Sequence, residues 1–66
     1  MIAYIRGRVL TTTAETVIVD VGGVGYELYC SGGAFSKAAA GGTVELYTYL
    51  QMKEDGMTLF GFASPK

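Results

Sequence analysis

Histidine and tryptophan are absent from this chain of 66 residues, and it holds one cysteine, Cys30, and one proline, Pro65. A lone cysteine excludes an intramolecular disulfide and fits a reducing compartment. Without histidine, and with no Cys or carboxylate cluster at metal-ligand spacing, neither a metal site nor any other cofactor site is expected. No nucleophile, base and orienting group can be assembled, which argues against an enzyme. Charge is sparse too. Charged residues are 17% of the chain, and five Lys and Arg against six Asp and Glu leave a net charge of −1; soluble domains typically carry about 25%. Arg6, Arg8, Lys37, Lys53 and Lys66 are scattered, whereas a duplex-binding face normally needs clustered cations. The opening MIAYIRGRV has no apolar run of signal-peptide length. No segment approaches the roughly 18 apolar residues of a membrane span.

What the chain does have is apolar residues, at 50%, and ten glycines. A domain of this size buries only about 60% of the surface its unfolded form exposes. So apolar a chain has little interior to fill, and either another subunit or domain covers some of that surface, or apolar atoms simply face water.

The pattern is that of strands. Thr16 to Cys30, TVIVDVGGVGYELYC, reads as a hairpin turned at Gly22-Gly23, two residues that tolerate the positive φ of two-residue turns. Val17, Val19 and Val21 share one face, and Tyr26, Leu28 and Cys30 share one on the return arm, because strand side chains alternate. Gly25 predicts a bend or a close backbone approach. Ahead of the hairpin, Ile2 to Thr13 reads as a long strand bent at Gly7. Behind it, Ser31 to Gly42 breaks the alternation: Ser31 is a candidate N-cap, Phe35 and Ala38 or Ala39 line one short face, and Gly41-Gly42 supplies the stop. Thr43 to Met52 is the cleanest strand, with Val44, Leu46, Leu50 and Met52 on one face and Tyr47 and Tyr49 on the other. Lys53-Glu54-Asp55-Gly56 turns the chain, Gly56 serving the bend, and Met57 to Ala63 is the last strand. Pro65 stops the ladder. Residues 1–63 are therefore expected to form one domain, and 64–66 a linker or a truncated end. The order β-β-β-α-β-β with glycine bends predicts an all-β fold, a small five-stranded Greek-key barrel of the OB type, with one short helix between the third and fourth strands. The competing architecture is an SH3-like open barrel, which normally lacks that helix.

Three groups are candidates for function. Glu54 and Asp55 are adjacent carboxylates at a hairpin tip. A solvated tip has no pocket to split their pKa values, so acid-base catalysis is disfavoured and an ordinary turn is the simpler reading. Tyr4, Tyr29, Tyr47, Tyr49, Phe60 and Phe62 suit either a stacking platform for single-stranded nucleic acid or packing in a core and subunit interface. The shortage of cations favours packing. VGGVG lies within a hairpin, not between a strand and a helix, so it is no dinucleotide fingerprint.

VDVGGVGYELYC followed by LYTYLQMKEDGMTLFGF resembles the amino-terminal domain of the RuvA family. The likeness runs from Ile5-Arg6-Gly7 to Leu59-Phe62. It implies an OB fold and a non-catalytic, cytoplasmic DNA-binding subunit acting in recombination and DNA repair. It further implies a homotetramer that holds four-way (Holliday) junction DNA, and a RuvB-type ATPase motor engaged through domains beyond this one. In the family two acidic residues on the last hairpin loop form a pin at the junction centre, and those positions match Glu54 and Asp55. Carboxylates there would repel phosphates and disfavour continuous duplex. Family members continue into a helix-hairpin-helix domain and a mobile domain, so this chain alone is expected to bind a junction poorly. The alternative is a free-standing OB module that only oligomerises.

Overall fold

The computed structural model describes residues 1–64. Five strands and one helix follow in the order β1 (Tyr4–Thr12), β2 (Thr16–Val21), β3 (Val24–Cys30), α1 (Gly32–Ala39), β4 (Thr43–Lys53) and β5 (Gly56–Phe62). The strands close into a barrel in the order β1-β2-β3-β5-β4. Neighbours pair antiparallel except β3 and β5, which run parallel and meet only at Tyr29 opposite Phe60 and Cys30 opposite Gly61. This is the five-stranded OB-type barrel, and closure removes the free edges that would otherwise invite pairing with other chains. Of the expected tail at 64–66, Pro65 and Lys66 lie outside the described residues.

The hairpin at the centre of the chain has the expected register, from Thr16 opposite Tyr29 to Val21 opposite Val24. Gly22 and Gly23 have φ of 61° and 96°, the double positive pair that a type I′ turn needs. The Gly23 N–H also donates to Asp20 Oδ1 at 2.8 Å, a local aspartate turn that fixes the bend from the side.

β1 serves two neighbours. Tyr4 to Arg8 pair with β4, while Arg8 to Thr12 pair with β2 through an irregularity between Val9 and Thr11. The register slip points Leu10 outward. Regular strand starts at Tyr4, not Ile2, yet the preceding residues are tied down: Thr48 donates from its N–H to the Ala3 carbonyl (2.9 Å) and from its hydroxyl to the Ile2 carbonyl (2.6 Å). Gly7 is a close-approach glycine, since a Cβ there would lie 2.3 Å from the Asp20 carbonyl oxygen. Gly25 is different from expectation: a Cβ there would make only ordinary contact, 3.6 Å from Ile18 Cγ2. No backbone presses on it.

The inward-facing residues form one core of Ile5, Val17, Val19, Leu28, Val44, Leu46 and Leu59, closed at one end by Ala34 and Ala38 of α1. Burying each Val or Leu here contributes about 1.5–3 kcal/mol relative to exposure. The helix covers the barrel end as its spacing suggested, but through Ala34 and Ala38, with Phe35 only half-buried. Alanines let the helix axis approach the strand ends closely. Ser31 occupies the N-cap position in extended conformation but makes no side-chain cap bond. Its backbone holds the helix start instead, accepting from the Phe35 N–H (2.7 Å) and donating to the Gly61 carbonyl (3.3 Å). Gly41 and Gly42, at φ of 85° and 74°, end the helix as expected.

The turn from β1 to β2 carries a buried polar group. Thr16 is 3% exposed; its hydroxyl donates to Glu27 Oε2 at 3.0 Å and lies 2.7 Å from the Thr13 hydroxyl. This satisfies a group that burial would otherwise penalise.

Candidate nucleic-acid interface

The β4–β5 hairpin runs in register from Tyr47 opposite Phe62 to Lys53 opposite Gly56. Glu54 and Asp55 are the two residues left between the last paired positions, and both are exposed. Gly56 opens β5 at φ +150°, a conformation L side chains rarely adopt. The strands outrun the barrel. Leu50 and Leu59 oppose one another and still touch the core, whereas the next inward-facing pair, Met52 and Met57, is 70% and 67% exposed. The acidic pair is therefore carried on a stalk past the barrel rim. Met52 does share a face with Val44, Leu46 and Leu50, as its parity requires, but by that point there is no core left to enter.

A second surface lies on the outside of the barrel. Tyr4 stands opposite Tyr47, which stands opposite Phe62; Tyr49 stands opposite Phe60, which stands opposite Tyr29. Ring centroids lie 5.4 Å apart for Tyr4–Tyr47, 6.2 Å for Tyr29–Phe60 and 6.5 Å for Tyr49–Phe60, within the range of favourable aromatic pairs. The six candidate aromatics thus form one band across β1, β4, β5 and β3. Few cations border it. Arg6 stands opposite Glu45 and Arg8 opposite Asp20, so each arginine has a carboxylate as its cross-strand neighbour. A phosphate-tracking groove needs the reverse.

The band runs into a groove of about 530 Å³ at the start of α1, walled by Tyr29, Phe35, Phe60 and Phe62, with Cys30 and Glu15 at its sides. Burial raises the pKa of the Cys30 thiol, which keeps it protonated and a poor nucleophile. Among the described residues no group of three or more Cys, Asp or Glu could hold a metal ion, and no helix is long and apolar enough to cross a membrane.

Sequence reasoning placed Glu54, Asp55, Gly22, Gly23 and Gly56 at their turns. It missed Asp20, whose spacing three residues before Gly23 is the signature of a side chain closing its own turn. It also missed the exposure of Met52 and Met57, which depends on where the barrel ends and leaves no local trace.

The family described as RuvA N terminal domain matches residues 1–61. The chain is 48% identical over 63 residues to a protein of Symbiobacterium thermophilum, covering 94% of this chain and 31% of that protein. A Thermobifida fusca protein is 44% identical over 63 residues, covering 96% and 31%, and one of Desulforudis audaxviator is 43% identical over 65 residues, covering 97% and 32%. Each is named Holliday junction branch migration complex subunit RuvA. The chain spans about a third of the length of these curated relatives.

Proposed function

Because this chain belongs to the RuvA N-terminal domain family, we propose that it is the OB-fold domain of a subunit that binds four-way junction DNA as a tetramer. In that reading Glu54 and Asp55 form the acidic pin at the junction centre, and a RuvB-type ATPase drives branch migration through other domains. The observation that carries the reading is the stalk: two exposed carboxylates at the end of a hairpin that outruns its barrel. A carboxylate about 6 Å from a phosphate in water is repelled by about 0.7 kcal/mol. Four subunits bring about eight such carboxylates to one point under cyclic symmetry, enough to disfavour a continuous duplex lying across them. An open junction has a gap there.

The aromatic band favours a protein-facing role for the barrel's outer wall, and this supports oligomerisation. It also keeps alive the narrower reading of a module that only oligomerises. A graft separates them. A full-length relative carrying residues 1–62 of this chain in place of its own first domain is expected to bind a four-way junction in preference to duplex of equal length. This chain alone should bind the junction far more weakly, having few cations with which to displace counterions. A folded graft that assembles but shows no junction preference would overturn the DNA reading and leave the oligomerisation module.

A further inference from the structure

The hairpin that carries the acidic pair has a second exposed chemistry, which the pin does not use. Met52 and Met57 are cross-strand partners one position below the turn's closing pair, Lys53 and Gly56. Side chains so paired share a face, with Cβ atoms about 5 Å apart. Both point in the direction that, nearer the barrel, leads into the core at Leu50 and Leu59, and both are largely exposed. The stalk is thus two-faced. One side is an apolar thioether pad and the other carries Gln51, Lys53 and Thr58.

We propose that the Met52–Met57 pad packs against the faces of the base pairs that end at the junction crossover. This inference rests on the junction reading above and assigns the stalk an attractive contact beside the repulsive one. The charge of the tip selects the occupant. Glu54 and Asp55 keep phosphates away from the end of the stalk, so what reaches the methionines is the uncharged part of the nucleic acid. Base faces are aromatic, and a polarisable thioether makes favourable contacts with aromatic rings. Methionine is also among the apolar residues that proteins wedge against unstacked base steps. Base edges present amino groups that carboxylates accept from, so the acidic tip and the apolar pad suit the same partner. A continuous duplex covers its interior base faces by stacking. Only where arms end is a face open, so the contact discriminates for the junction through attraction.

The chain's three methionines supply the test. Met1 is 87% exposed and stands apart from the stalk in sequence, so it serves as an internal reference. The full-length graft carrying residues 1–62 of this chain is treated with dilute peroxide at low salt, alone, with saturating linear duplex, and with saturating four-way junction, and sulfoxide at Met1, Met52 and Met57 is read by mass spectrometry. Fluorescence anisotropy of the same DNAs reports binding. The expected result is a several-fold slowing of oxidation at Met52 and Met57 relative to Met1 with junction, and little slowing with duplex. Met52→Gln with Met57→Gln should keep the fold, since both sites are exposed, and should lower the junction-to-duplex affinity ratio. Junction binding by anisotropy with unprotected methionines overturns the proposal and leaves the pin reading standing. Protection that grows with protein concentration in the absence of DNA also overturns it, because the pad is then covered by a second copy of the chain. Absence of junction-selective binding defeats the underlying reading, and the pad contact with it.

Discussion

At Gly7, β1 passes so close to β2 that no side chain fits. An alanine Cβ would sit 2.3 Å from the Asp20 carbonyl oxygen and 3.0 Å from Val19 Cγ1, and backbone cannot swing aside as a flexible side chain can. Gly7→Ala is expected to lose at least about 2 kcal/mol by urea unfolding, whereas Gly25→Ala should stay within about 0.5 kcal/mol, because its Cβ meets only an ordinary contact. Equal losses at the two glycines would contradict the close-approach assignment. Cys30 makes a second residue-level case. Its thiol lies against Gly61, and burial raises its pKa. A thiol whose folded pKa exceeds its unfolded one contributes stability that is fully present below the unfolded value, about 8.5, and is lost as pH rises toward the folded value. Stability should therefore decline on the alkaline side. The informative quantity is the difference between wild type and Cys30→Ala, which should show a shallower decline. Parallel curves would show that the thiol is not desolvated.

At the scale of elements, period and turn chemistry were legible in the residues, and closure was not. The central hairpin has the bounds its alternation indicated because both its faces and its turn are local properties: Val17 and Val19 inward, Gly22-Gly23 at positive φ. The family likeness carried by VGGVGYE and the ED pair before LFGF was legible as well, and the match over residues 1–61 agrees with it. The parallel seam between β3 and β5 is two residue pairs long and depends on where a distant strand lands. Gly25 resembled a packing glycine because sequence does not tell which neighbour comes close. Ser31 resembled a cap, but Gly61 and Phe35 engage its backbone and its hydroxyl makes no cap bond. The β4–β5 hairpin makes a prediction at this scale. Gly56 holds φ +150°, so Gly56→Val should lose about 1–3 kcal/mol through backbone strain, while Glu54→Gln with Asp55→Asn should change stability by no more than about 0.5 kcal/mol. Thermal unfolding of the two variants side by side checks this, and a tolerated valine would mean that the turn does not demand glycine.

Over the whole molecule, three exposed surfaces stand out: a charged tip on a stalk, an aromatic band on the wall, and a groove at the helix end. The tip bears the central claim, that Glu54 and Asp55 act on DNA by charge and not as spare turn residues. If so, their influence must depend on salt, since the Debye length falls from about 10 Å at 0.1 M to about 3 Å at 1 M. The direct measurement is the affinity for a four-way junction and for linear duplex across a salt series, comparing the full-length graft with its Glu54→Gln, Asp55→Asn variant. Neutralisation should raise both affinities at low salt, duplex more than junction, because in the proposed arrangement a continuous duplex would lie across the tips and an open junction would not; the difference should fade as salt rises. A junction-to-duplex ratio at low salt that is unchanged by neutralisation would contradict the account and return the two carboxylates to the role of ordinary turn residues.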